Sequence, residues 1–204
     1  MPESPFKTST LHSYAHLLDK ECAYRLAVIS PTASGVVEAA GSWLFDRAKG
    51  GWRIGLFVID PVEPADAAAL RILGVDKVEP LSALKPTDIE SASAIAVDST
   101  TLDGAPMLAK RLHALALRRA TEILMWGPAP AHWAELCEVV RYLNPSTASR
   151  AFKARALTVS GSTAGDDGTA ETFHRVTAVS LRYGSDLLAA DSTTAASPGS
   201  RANP

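Results

Sequence analysis

The sequence predicts an α/β domain with a mostly parallel sheet, and three observations lead to this prediction. Short apolar runs that suit buried strands alternate with longer segments of helical periodicity. Glycine and proline turns separate these segments, as in folds where each strand is followed by a helix. The 204 residues are 47% hydrophobic and 21% charged, a composition typical of globular domains and not of disordered chains.

The first unit of this domain reads as strand, helix and strand. Residues 24–29 form an apolar run of strand length, and a helix of about fifteen residues follows it. The helix ends at Lys49-Gly50-Gly51, because glycine directly after a basic last turn is a common C-terminal cap. The second strand covers residues 52–59.

The rest of the chain continues this alternation, with a change of rhythm after residue 145. Further helices are expected at residues 9–21, 64–74, 86–91, 106–120 and 132–143, and further strands at residues 75–81, 94–97, 122–126, 152–159 and 173–183. The last two strands flank a loop rich in glycine and acidic residues. This arrangement predicts an antiparallel pair at one edge of the sheet.

Composition divides the chain into three parts: an N-terminal helical segment at residues 1–23, the domain at residues 24–184, and a disordered tail of small and polar residues at 185–204. The two cysteines are far apart in sequence, and no apolar run approaches the ~20 residues that a membrane span needs. These features predict a cytoplasmic protein. No metal site is expected, because His12 and His16, one helical turn apart, have no third ligand nearby.

The turn after the first strand occupies the position of a phosphate-binding loop, whose pattern is G-x-x-x-x-G-K-[ST]. Gly35 stands at the second glycine of that pattern, but Ser30 replaces the first glycine. Val36 stands in place of the lysine, and Val37 in place of the hydroxyl residue. An isopropyl group supplies neither the charge nor the donor that a phosphate requires. The sequence therefore predicts a degenerate site that binds no nucleotide cofactor.

Over residues 26–126 the order of these pieces resembles a RecA-like core. The resemblance rests on the turn just described, on Asp60 after the second strand with the LGVD segment that follows, and on Asp98 at the end of the fourth strand. It implies a RecA-like three-layer core in which Asp60 and Asp98 are remnant acidic positions. The position of that family's catalytic glutamate is Val62, with Glu63 one residue out of register.

RecA-like chains of this length with a degenerate site are similar to ImuA-type accessory proteins. That resemblance implies a non-enzymatic role in DNA-damage-induced (SOS) mutagenesis and translesion synthesis. The implied partners are an inactive Y-family polymerase homologue of the ImuB type, an error-prone C-family polymerase complex, and single-stranded DNA or a RecA filament. Two alternatives stay open: a SulA-type cell-division inhibitor, and a RecA-like ATPase whose site is completed by a neighbouring subunit.

Two acidic positions have further interpretations. Asp60, at a strand end about 25 residues after Gly35, would bind a ribose in a dinucleotide fold, but only one glycine of the required turn is present. Asp98 is followed by Ser99, Thr100 and Thr101, and a turn that caps the next helix is favoured over a metal site.

Basic residues are concentrated between residues 110 and 155, where eight lysines and arginines face three glutamates although the whole chain has a net charge of −2. In RecA-like proteins the loops near this segment face DNA, so the resemblance implies DNA contact by a basic flank. The alternative is a solvated helix face. The candidate DNA-binding residues are Lys110, Arg111, Arg118, Arg119, Arg150 and Lys153.

Overall fold

Several strands of the domain form where short aliphatic runs lie between turn residues. The computed structural model describes residues 24–75, 77–118, 121–162, 170–176 and 188–189. Its strands are β1 (Arg25–Ser30), β2 (Arg53–Val58), β3 (Lys77–Pro80), β4 (Ala94–Asp98), β5 (Glu122–Trp126), β6 (Cys137–Tyr142), β7 (Glu171–Val176) and β8 (Leu188–Ala189).

Helices connect most of these strands. They are α1 (Ala33–Lys49), α2 (Pro64–Ile72), α3 (Pro86–Glu90), α4 (Ser99–Gly104), α5 (Pro106–Arg118) and α6 (Thr147–Ser160). Two 3₁₀ turns, Leu81–Ala83 and Ala131–Leu136, precede α3 and β6. None of the helices described is long and apolar enough to cross a bilayer.

The eight strands form one mixed sheet with the order β3-β2-β1-β4-β5-β7-β6-β8. The first five in this order are parallel, and β7, β6 and β8 pair antiparallel at one side. The predicted α/β class, with a mostly parallel sheet and antiparallel strands toward the C-terminal end, is therefore confirmed. Because β1 lies between β2 and β4, the sheet has the 3-2-1-4-5 order of a doubly wound fold.

Helices cover both faces of the sheet, which gives three layers. Alternate residues of each strand point to opposite faces, so Val28 of β1 joins one core and Ile29 joins the other. The first core lies under α1, α2 and α6, and Trp43 is fully buried in it. The second core lies under α3, α4 and α5, and it includes Trp133 from the second 3₁₀ turn.

The turn after β1 is a helix cap. Thr32 is the N-cap of α1, and its hydroxyl accepts a hydrogen bond of 3.0 Å from the Gly35 amide. A Cβ atom at Gly35 would lie 2.8 Å from that hydroxyl oxygen, so the glycine permits the close approach. Val36 and Val37 are fully buried in the core, where their apolar side chains pack under the sheet.

Two elements predicted near the C-terminal end are wrong. Residues 132–143, predicted as a helix, form a 3₁₀ turn and strand β6, in which Val140 and Tyr142 are buried and alternate with exposed residues. Residues 152–159, predicted as a strand, belong to α6. The buried positions Ser149, Lys153, Ala156 and Leu157 have helical spacing. The antiparallel edge is consequently built by β6 and β7.

Some predictions fall outside the described residues. They are the helix at 9–21, the histidines in it, the strand predicted beyond residue 176, and most of the tail from residue 185.

Candidate active site at the carboxyl end of the sheet

The carboxyl ends of β1 and β4 mark the position where a doubly wound sheet binds its ligands. The helix after β1 covers one face, whereas α4 and α5, which follow β4, cover the other face. The two connections therefore leave the sheet in opposite directions and open a crevice between them. The register pairs Ile29 with Val97, which places Ser30 beside Asp98 at this edge.

Asp98 is held by three hydrogen bonds. One carboxylate oxygen accepts from the backbone amide of Thr100 at 3.0 Å and from its hydroxyl at 2.6 Å. The other oxygen accepts from the indole Nε1 of Trp126, at the end of β5, at 3.1 Å. Asp98 therefore caps α4 and ties β4 to β5, which is the turn-capping interpretation favoured from the sequence.

Three buried hydroxyls lie in the segments at this edge. Ser30, Ser99 and Thr101 are at most 2% exposed, and their hydroxyl oxygens have no hydrogen-bond partner within the described part of the chain. A buried hydroxyl without a partner costs about 1–3 kcal/mol, unless water or a ligand satisfies it. The backbone of Gly127 closes over Ser99, since a Cβ there would lie 2.8 Å from the serine oxygen.

A cavity of about 570 Å³ lies beside this edge, between α4, α5 and the 3₁₀ turn after β5. Its walls combine an imidazole, a carboxylate, an ammonium and an indole. The lining residues are Leu102, Asp103, Pro106, Ala109, Lys110, His113 and Trp133. Helix α4 leads from the buried hydroxyl of Ser99 to the cavity, because its first turn carries Ser99 and its last turn carries Asp103.

His113 is the one imidazole among the residues that line this cavity. It is partly buried on α5, and its ring meets Trp133 edge-on, with 5.6 Å between the ring centroids and an interplanar angle of 89°. Such an edge contact fixes the plane of the imidazole. Lys110 lies three residues earlier on the same helix, so its side chain emerges on the same face. Sequence reasoning missed His113, and the spacing to Lys110 was the available signal.

The structure separates the residues that were predicted as sites. Asp60 is exposed beyond β2, and its backbone amide donates to the carbonyl of Pro31 at 3.0 Å. Lys110, Arg111 and Arg118 lie on α5, on one face of the sheet. Arg150 and Lys153 lie on α6, on the opposite face.

Lys153 is unsuited to a surface role. It is 7% exposed, and its ammonium donates to the Glu171 carboxylate at 2.8 Å. Arg119 lies outside the described residues. The six candidate DNA-binding residues therefore do not form one surface in the part of the chain that the structure describes.

Comparison with known proteins yields similar structures only. No family model matches the chain, and no curated protein sequence matches it at a significant level. A deacetylase of the teicoplanin biosynthesis pathway has a TM-score of 0.50 and 13% identity, covering 83% of this chain and 100% of that one. The zinc-inhibited form of teicoplanin deacetylase has a TM-score of 0.50, 11% identity and the same coverage. At these identities the likeness establishes a shared fold.

The resemblance to a RecA-like core of the ImuA type is therefore wrong. The similar structures are deacetylases, and β1 lies between β2 and β4 in a doubly wound order. The expected non-enzymatic role in SOS mutagenesis rested on that resemblance alone and is corrected with it, because the structures that share the fold are deacetylases. The SulA-type and ATPase alternatives assumed the same RecA-like core, so the same finding contradicts them. The polymerase and DNA partners stay predictions that no observation tests.

Because one similar structure is a zinc-inhibited form, the side chains at this edge are candidates for metal ligands. Among the described residues, no three side chains of the His, Cys, Asp or Glu type come together in a way that could hold an ion. Both oxygens of Asp98 already accept hydrogen bonds. The described residues at this edge therefore do not fit a metal centre.

Proposed function

We propose that this protein is a hydrolase that removes an acyl group from a small polar molecule bound in the cavity beside the carboxyl edge. The observation that carries the proposal is the convergence of His113, Lys110 and Asp103 on one cavity at the side of the sheet where doubly wound folds bind ligands. The fold shared with deacetylases supports the choice of reaction. A volume of about 570 Å³ suits a small substrate.

In the proposed reaction, neutral His113 accepts a proton from a water molecule as the water oxygen attacks the acyl carbonyl carbon. The carbonyl oxygen becomes an oxyanion, and the Lys110 ammonium stabilises the negative charge that develops on it. The imidazolium then returns its proton to the departing amine or alcohol as the carbon–nitrogen or carbon–oxygen bond breaks.

Acetate release from an N-acetylated amino sugar and from 4-nitrophenyl acetate tests this function. The wild-type protein is expected to turn over one of them, and His113→Ala is expected to lower kcat by about 10²–10⁴-fold, because it removes the general base. Lys110→Ala is expected to lower kcat by about 10²-fold, because it removes the charge opposite the oxyanion.

The matched control is His174→Ala, which makes the same change on β7, at a residue that does not line the cavity. Its kcat should equal that of the wild type. The proposal fails if the wild-type protein releases no acetate above the buffer rate, or if both histidine variants lose activity equally.

A further inference from the structure

A second cavity, of about 520 Å³, lies between α5 and the segment formed by the first 3₁₀ turn and α3, and Lys110 lines both this cavity and the first one. It forms because α5 presents one stripe toward α3 and another toward the sheet. Leu112 and Ala116 are fully buried against the sheet, whereas Arg111, Ala114 and Arg118 follow one another at helical spacing along the groove.

The floor of this groove is apolar. It consists of Leu81 and Leu84 from the 3₁₀ turn and its end, Ile89 from α3, and Leu108 and Leu115 from α5. All of them belong to the second core or pack against it, so the floor is fixed by the fold. An apolar ligand that covers these side chains would be favoured in proportion to the area removed from water.

The rim of the groove is basic. Four cationic side chains line it, and Glu90 is the one carboxylate among the lining residues. Glu90 lies 3.7 Å from Arg111, so an ion pair crosses between α3 and α5. Within the described residues no carboxylate pairs with the other three cations, which are Lys85, Lys110 and Arg118. The rim therefore offers charge that an anion from outside can neutralise.

We propose that this groove binds a small amphipathic anion of the long-chain carboxylate class, with its hydrocarbon chain on the leucine floor and its head group at the basic rim. Charge complementarity selects an anion, and the floor selects a hydrocarbon chain. The volume lies within the range of small-ligand sites, whereas a protein partner needs about 800 Å² of surface on each side. The inference does not depend on the proposed hydrolysis.

Calorimetric titration of the full chain with dodecanoate, below its critical micelle concentration, tests the proposal. Saturable binding of one molecule is expected, and shortening the chain should weaken it by up to about fourfold per methylene. Two control ligands should each bind at least about tenfold more weakly than dodecanoate: dodecyltrimethylammonium, which has the same chain and the opposite charge, and acetate, which has no chain. Raised salt should weaken dodecanoate binding.

Charge reversal identifies the site. The double variant Lys85→Glu with Arg118→Glu should bind dodecanoate at least about tenfold more weakly. Arg150→Glu, an exposed residue of α6 on the opposite face, should bind it as the wild type does. Any of three results would overturn the proposal: equal loss of affinity in both variants, equal affinity for the cationic detergent, or binding of an acidic amphipathic peptide in place of dodecanoate.

Discussion

A single carboxylate, that of Glu171, joins three elements inside the first core. Its oxygens accept from the backbone amides of Ser42 and Trp43, at 2.7 and 2.8 Å, and from the Lys153 ammonium at 2.8 Å. Both amides lie in the interior of α1, and a side chain inserted there is a known cause of helix bending. Burial raises the pKa of Glu171, and Lys153 and the two amides counter part of that rise.

The substitution Glu171→Gln tests how much this group contributes to stability. The amide has the same shape, but its nitrogen cannot accept from a backbone amide or from Lys153, and the ammonium remains buried without a counter-charge. We expect a loss of about 3–5 kcal/mol in the free energy of unfolding, the range for breaking a buried ion pair. Urea denaturation measures it.

The control for this prediction is the exposed pair Lys77–Glu79, with 2.8 Å between nitrogen and oxygen but a lysine side chain that is 63% exposed. Glu79→Gln should cost less than about 1 kcal/mol, because solvent screens the pair. Similar losses for the two substitutions would show that burial does not decide the contribution of Glu171.

At the scale of elements, the junction of α1 and α2 depends on a glycine. Gly74 follows α2 with a φ of +81°, and a Cβ atom there would lie 2.6 Å from the Cβ of Ala48 on α1. Gly51 has nearly the same conformation, with a φ of +84°, but nothing lies within 4 Å of its added Cβ. Alanine substitutions at the two positions therefore distinguish the free-energy cost of backbone strain from that of steric overlap.

We expect Gly74→Ala to destabilise the protein by about 2–5 kcal/mol, since about 1–2 kcal/mol of left-handed strain adds to about 1–3 kcal/mol of overlap between two packed helices. Gly51→Ala should cost only the strain. Thermal or urea unfolding of both variants checks the difference. If Gly51→Ala costs as much as Gly74→Ala, the contact with Ala48 does not limit the approach of the helices.

Strands β1, β2, β4 and β5 were predictable because each is a short aliphatic run closed by a turn residue, a local signal. The segment 147–160 carried local signals too: Ser146 caps α6 by accepting from the Ser149 amide at 2.9 Å, and Gly161 ends the helix with a φ of +72°. The segment was nevertheless predicted as one of two strands around the loop that follows it. Phe152 is 44% exposed, and its ring stacks on the ring of Phe45, with 4.5 Å between the ring centroids.

At the scale of the whole molecule, alternation of strands and helices predicts the α/β class but not the order of strands in the sheet. That order depends on long-range pairing, such as Leu26 with Ala94, which no local pattern records. The RecA-like resemblance failed at this level. The candidate site was hidden for the same reason, because Asp103, His113 and Trp133 come together from three separate elements.

One polar cluster connects α1 to the segment that ends β6 and begins α6, about a hundred residues later in the chain. Asp46, in α1, accepts from the Tyr142 hydroxyl at the end of β6 and from the backbone amide and hydroxyl of Ser146, at 3.2 and 2.8 Å. Burial opposes ionisation of Asp46, but these hydrogen bonds outweigh it and hold its pKa below the ordinary value of 3.8. The folded state therefore favours the ionised carboxylate.

This shift makes the global stability dependent on pH in the acid range. The contribution of Asp46 is complete above pH 3.8 and is lost as the pH falls through the lowered pKa of the folded state.

Asp46→Asn should lower the free energy of unfolding by about 2 kcal/mol at pH 6, the scale of hydrogen bonds to a charged group. The gap to the wild type should narrow as the pH falls below 3.8 and through the lowered pKa. Urea denaturation of both proteins across this pH range measures the gap. The control is Asp60→Asn, which changes an exposed carboxylate and should alter the free energy of unfolding by less than about 0.5 kcal/mol at every pH. A gap that stays constant with pH would show that Asp46 contributes through packing and not through its charge.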